Sequence, residues 1–305
     1  MENVSENNLS KSTQLNSKIT VSKYDGIHSK KGTNFVSDCQ RLLVLILFIN
    51  LILLLAGTAK AFTVMPGPGW DESNPRYILS KEILIRHLNE NYYPEFLNRS
   101  GLVTLTIHPG PLFLDTKQVA GYAVNGTINM IGYAYDVESP NCSQTTSLSN
   151  ASCLSLQARY AQGRLNYLQT FNHEFFHIMD QTLRTDRTPY ARVNLRWNEN
   201  NPEGFVYSET ALASVAGMIE YFSAVPAMGP DDEFRIPSPG FITRYASYGQ
   251  GEDKAEIYGW AMASPEPFSR AALGDPQIAA KLEIVKEILM MISNNKSSIL
   301  PKPMQ

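Results

Sequence analysis

The chain has 305 residues, of which 43% are hydrophobic, and a net charge of −3. That length supports one domain with a sizeable core, and the near-balanced charge without a basic stripe argues against nucleic acid as a partner. No repeat at a solenoid period is visible, and nothing of collagen or coiled-coil type.

Residues 1–40 are rich in Ser, Asn and Lys and poor in aromatics, the composition of a disordered tail. From Leu42 to Ala59 the run LLVLILFINLILLLAGTA carries no charge and is bracketed by Arg41 and Lys60. Its length reaches the lower limit of a membrane span, and it ends in Ala59-Lys60-Ala61, an A-x-A pattern. Residues 41–61 therefore read either as a cleaved signal peptide or as a retained signal-anchor. Lys30, Lys31 and Arg41 precede the run and favour a cytoplasmic N-terminus with the body exported, secreted or membrane-anchored. Cys39 lies before the run, and Cys142 and Cys153 close the polar loop NCSQTTSLSNASC beyond it. In an oxidising compartment such a pair reads as one disulfide. Sequons at Asn98, Asn125, Asn141, Asn150 and Asn295 carry little weight, because such triplets arise by chance.

Residues 62–76, with MPGPGWDESNP at 65–75, read as a Pro/Gly linker before a folded body at 77–295, and 296–305 as a C-terminal tail. The segment 80–93 places Ile83, Leu84, His87 and Leu88 at helical spacing, so His87 is a helix-face residue rather than a ligand. Residues 102–107 alternate as a strand that ends at His108, which reads as a surface position. VAGYAV and TINMIGYA flank Asn125-Gly126, a hairpin signal. Helices are predicted over 163–183, over 208–224 with Ser208 as cap, over 251–263, and over 275–293, where Asp275 caps and Pro276 opens the first turn. A β-rich portion thus precedes a helical one.

The stretch TFNHEFFHIMDQ, residues 170–181, lies in the first of those helices. His173 and His177 are four apart and share a helix face, so both can reach one Zn²⁺. Glu174 stands beside them, placed to take a proton from a water and pass it to a leaving amine. A catalytic zinc needs a third protein ligand. Asp180 and Leu183 occupy the positions where a metzincin carries its glycine and third histidine, which removes that form. Glu199 and Glu203 lie in the turn-like WNENNPEGF, and Glu209 and Glu220 have no accompanying pattern, so all four read as solvated surface. Glu252 and Glu256, four apart on the helix over 251–263, could both face the metal helix.

An HExxH helix, then Thr243-Arg244-Tyr245, then Glu252-x-x-x-Glu256 resembles the lethal-factor-type gluzincins over roughly residues 165–293. The resemblance implies an α+β, zincin-like metallopeptidase fold: a small mixed β-sheet, an active-site helix and a helical C-terminal lobe. It implies Glu252 as the third zinc ligand and Glu256 as the carboxylate that orients a ligating histidine. It further implies Tyr245 as a donor to the developing oxyanion or the leaving group, and Asp180 as a supporting residue. For Tyr245 the alternative is simple aromatic packing. Phe176 departs from the family pattern, filling a slot often small, and the interval from His177 to Glu252 is long, with an insertion over 226–240. The segment 127–134 is a candidate edge strand for an extended peptide, with an ordinary interior strand as its alternative. Two functions follow as expectations. One is an exported zinc metalloendopeptidase acting on peptide or protein. The other is a catalytically inactive zincin-fold binding module at the membrane or cell surface.

Overall fold

The computed structural model describes residues 62–114, 117–133, 150–184, 187–207 and 239–305. The chain divides into two units, Met1–Gly57 and Thr58–Gln305, and the described residues all belong to the second. The expected N-terminal tail, the apolar run, Cys142 and the helix over 208–224 lie outside the described residues. No helix among the described residues is long and apolar enough to cross a membrane.

Alternation builds the sheet. β2 (Thr104–His108) and β6 (Thr127–Ile131) bury every second residue, Leu105 and Ile107 on one strand and Ile128 and Met130 on the other. They pair in parallel, and β1 (Thr63–Pro66) pairs in parallel with β2. β5 (Gly121–Val124) runs antiparallel to β6 and forms the opposite edge, giving the order β1-β2-β6-β5. The turn between them holds Asn125 at φ 50° and Gly126 at φ 77°, the backbone an Asn-Gly hairpin requires. A small separate hairpin joins β3 (Leu112–Leu114) to β4 (Lys117–Val119).

Among the described residues the helices are α1 (Pro75–Asn91), α2 (Pro94–Arg99), α3 (Asn150–Leu183), α4 (Arg187–Glu199), α5 (Gln250–Ala263), α6 (Pro265–Gly274) and α7 (Pro276–Ile292). Caps set several starts. Asn74 accepts from the amides of Arg76 and Tyr77, and Asp275 from those of Gln277 and Ile278, each with a proline in the first turn. α3 covers β5 and β6 with one face and packs α5 against another. Phe171, Phe175 and Phe176 of α3 are fully buried, and the Phe176 ring sits 5.3 Å from that of Tyr258 on α5. The bulk at this position thus fills the interface between the two helices. The result is an α+β molecule with a small mixed sheet and a helical C-terminal part.

Three expectations are corrected here. The segment 62–76 is not a linker, because Thr63 N bonds Val103 O at 3.0 Å and Gly67 N bonds Ile107 O at 2.7 Å, which places 63–66 in the sheet. Residues 296–305 are not a loose tail: they form 3-10 turns at Ser297–Ile299 and Lys302–Met304, with Ile299, Leu300 and Met304 buried. The strand within 127–134 is interior, flanked by β2 and β5, so among the described residues the sheet edge beside α3 belongs to β5.

His87 is buried on α1, where its Nε2 lies 3.1 Å from Asn172 Oδ1 and its Nδ1 3.0 Å from Asn91 Nδ2. Tyr92 donates to the same Asn172 oxygen at 2.6 Å and lies 2.9 Å from the Tyr258 hydroxyl. Burial lowers the His87 pKa, and the Asn172 hydrogen bond only partly offsets it. His108 lies partly buried at the end of β2 with its Nε2 3.1 Å from Asn129 Oδ1.

Candidate metal centre

Two helices bring the site together. α3 carries His173 and His177 on one face, their ring centroids 4.8 Å apart and nearly perpendicular at 80°. α5 places Glu252 in its first turn, following the 3-10 turn Tyr245–Tyr248. From Asp253 to Met262 every residue of α5 is buried, as expected of a helix enclosed on all sides. α5 approaches α3 closely at Gly259, where a β-carbon would meet Gln169 O at 3.2 Å and His173 N at 3.3 Å.

His173 Nε2 lies 3.1 Å from Glu252 Oε2 and 3.1 Å from His177 Nε2, and the remaining side of this triangle, His177 Nε2 to Glu252 Oε2, is 3.4 Å. Three ligands of a tetrahedral ion with bonds of about 2.0–2.1 Å are separated by roughly 3.3–3.4 Å, so the donor set has the right size. Its chemistry agrees. His173 Nδ1 is 2.8 Å from Glu256 Oε1 and donates to it, which leaves the Nε2 of a neutral ring as a lone pair facing another imidazole nitrogen and a carboxylate oxygen. Such an arrangement repels itself unless a cation, proton or metal, stands between. His173, His177 and Glu252 form a group that could hold a metal ion.

In the metal-free chain a proton partly fills that role. Burial pulls the His173 imidazole down, but hydrogen bonds to Glu252 and Glu256 and the charges of both outweigh it and hold the group well above the usual imidazole range. Burial pushes Glu252 up, yet the His177 charge and hydrogen bonds from both histidines hold it well below the usual carboxylate range. Glu174 behaves differently: burial raises its pKa, with the nearby histidine charges acting in the opposite direction. No side chain among the described residues hydrogen-bonds Glu174, so its carboxylate is free to meet a water. It lies against β5, where a β-carbon on Gly121 would come 3.0 Å from Glu174 Cγ.

Glu256 gathers four donors. Its Oε1 accepts from His173 and from Gln169 Nε2 at 2.8 Å, and its Oε2 from Thr243 Oγ1 at 2.8 Å and Trp260 Nε1 at 3.2 Å. Tyr245 is half-buried beside the site, its ring centroid 5.7 Å from that of His173 and 6.0 Å from that of Tyr248. Asp180 is buried, and its contacts run to Arg184, Tyr190 and, at 3.6 Å, Lys254 of α5. Lys254 also bonds Asn194 and Tyr190 of α4. The support from Asp180 therefore reaches the residues beside Glu252 and not, among the contacts described, either histidine. Glu199 and Glu203 are exposed and do not belong to the group of potential metal ligands, and Glu209 and Glu220 lie outside the described residues.

Sequence reasoning missed several neighbours of these groups. Gln169 precedes His173 by one helical turn and Trp260 follows Glu256 by one, so helix spacing alone could have named both. Asp253, next to Glu252, was also passed over. Its Oδ2 accepts from Lys281 Nζ at 2.6 Å, Tyr207 OH at 2.7 Å and Trp197 Nε1 at 3.0 Å, and Lys281 donates to Gly240 O at 2.7 Å. The available signal was Lys281 itself, a lone cation on the same stripe of α7 as Ile278 and Val285.

No protein-family model and no curated protein matches the chain. A solved structure from Bacteroides caccae, provisionally described as a zinc-binding metallopeptidase, aligns over 83% of this chain and 93% of that one, at 13% identity and a TM-score of 0.40. Similarity at that level carries no argument about activity, and the reading of the site rests on the triangle of His173, His177 and Glu252.

Proposed function

We propose that the chain is an exported zinc metalloendopeptidase of the lethal-factor type, built on a zincin-like fold and acting on peptide or protein. One observation carries the reading. Three lone-pair donors converge at the spacing of a tetrahedral ion, and the buried carboxylate of Glu174, with no hydrogen-bonding side chain among the described residues, stands beside them. His173, His177 and Glu252 would hold the ion. Zinc there supplies a Lewis acid and a water whose pKa falls to about 7.

The protein's own groups do the rest. Glu256 holds the proton on His173 Nδ1 and so fixes which ring nitrogen faces the ion. Glu174, with its pKa raised by burial, takes the proton of the attacking water and delivers it to the leaving amine. Tyr245 donates to the oxygen on which charge develops. The antiparallel strand β5, an edge of the sheet among the described residues and lying against Glu174, is where an extended peptide would add. Export through residues 41–61 and a Cys142–Cys153 disulfide belong to the same proposal, and Cys153 is buried and disulfide-bonded.

Metal analysis with a peptide-library or casein assay tests this reading. Glu174→Gln is expected to keep its zinc and to lose about 10²- to 10⁴-fold in kcat/KM. Zinc without Glu174-dependent cleavage would overturn the enzyme and leave a metal-stabilised binding module. Full zinc retention in Glu252→Ala would overturn the ligand assignment.

A further inference from the structure

The Glu256 carboxylate serves the His173 side with one oxygen, and its other oxygen leads elsewhere. Oε2 accepts from Thr243 Oγ1 at 2.8 Å, and the same hydroxyl oxygen lies 3.2 Å from the amide nitrogen of Ala246. A threonine hydroxyl has one proton, and a carboxylate oxygen can only accept. The direction is therefore fixed: Thr243 gives its proton to Glu256 and its lone pair to the Ala246 N–H. Thr243 and Ala246 are both buried, so neither bond competes with bulk water. Ala246 is the residue after Tyr245 in the 3-10 turn Tyr245–Tyr248. Within the same turn Ser247 N and Ser247 Oγ both donate to Arg244 O, at 3.1 and 2.7 Å.

We propose that Thr243 is a positioning residue that ties the presentation of Tyr245 to Glu256, so that one carboxylate sets both the tautomer of His173 and the place of the phenol. The inference rests on reading the site as a hydrolytic metal centre. Thr243 touches neither substrate nor ion; it acts through the Ala246 amide on the turn that carries Tyr245. Thr243→Val keeps the shape and removes the hydroxyl, and it leaves the Ala246 N–H without this acceptor. Thr243→Ser keeps the hydroxyl.

The full-length zinc-loaded protein is the material. In Thr243→Val, kcat is expected to fall about tenfold through misplacement of the phenol, with zinc content unchanged and KM within about twofold of wild type. Thr243→Ser restores kcat. In a Tyr245→Phe background, Thr243→Val costs nothing further, because the group it positions is already gone. Amide exchange supplies a readout independent of turnover: the Ala246 amide exchanges about tenfold faster or more in Thr243→Val and not in Thr243→Ser. Wild-type kcat in Thr243→Val, an equal loss in the Tyr245→Phe background, or loss of zinc would each overturn the proposal. If wild type shows no Glu174-dependent cleavage, the hydrolytic reading fails on its own. The exchange arm still decides the tie, and an unchanged Ala246 amide in Thr243→Val overturns it.

Discussion

In the proposed metal centre a proton and a metal ion would compete for one place at His173. The metal-free imidazole is held well above its ordinary 6.5 by Glu252 and Glu256, and ligation through Nε2 must displace that proton. Apparent zinc affinity should therefore fall about tenfold for each pH unit below the raised value, starting above the range where an ordinary histidine titrates. Competition titrations with a chelator across neutral pH would check this, and a flat affinity would contradict it. The stability of the metal-free fold moves the other way. The raised His173 contributes stability that is fully present below about 6.5 and is lost as pH rises through the folded value. The lowered Glu252 contributes above about 4.5, and that contribution is lost as pH falls through its folded value. The two together favour the metal-free protein most strongly in the interval between those ordinary values.

Between helices, the buried pair of Asp253 on α5 and Lys281 on α7 decides how firmly the ligand helix is held. Burial pushes the Asp253 carboxyl up and pulls the Lys281 ammonium down, so neither charge is comfortable alone. Lys281→Met should destabilise the fold by about 3–5 kcal/mol, because Asp253 is then buried without its cation. Combining it with Asp253→Leu should recover much of that loss. Thermal or denaturant unfolding of the three proteins tests this, and an additive loss in the double variant would refute it. Elements whose signals are local were legible in the sequence: the Asp275-Pro276 start of α7, the Asn125-Gly126 turn and the His173–His177 face. α4 was not, although Tyr190, Val193 and Trp197 are buried in it at helical spacing; only its end was read, as part of the turn-like WNENNPEGF. The triangle itself was legible only as ligand identities. Its closure depends on how α5 lies on α3, and no local pattern encodes that.

Across the molecule, the segments misread as linker and tail fail for one reason. Composition reports local preference, whereas β1 is held by pairing with residues 104–107 and the C-terminus by burial against distant side chains. Lys296 also bonds Glu95 at 2.8 Å, joining the C-terminal segment to α2. Removing residues 298–305 should cost about 6 kcal/mol, from roughly 2 kcal/mol for each of the buried side chains Ile299, Leu300 and Met304. A thermal melt of the truncated protein measures this, and an unchanged midpoint would return the segment to the status of a tail.

Gly259 gives the centre a gauge. Where α5 crosses α3, the missing side chain lets backbone meet backbone, so the gap between ligand-bearing helices is fixed by an atom that is not there. A methyl group in that gap would have to push rigid main chain aside by a few tenths of an ångström. Metal–ligand distances tolerate about 0.2 Å, so a displacement of that size is comparable to the difference between a small ion and a large one. Gly259→Ala should then weaken zinc more than cadmium in parallel titrations, and an equal loss for both would break the link. On the proposed reading, the selectivity of this centre would be a property of helix spacing as much as of its ligands.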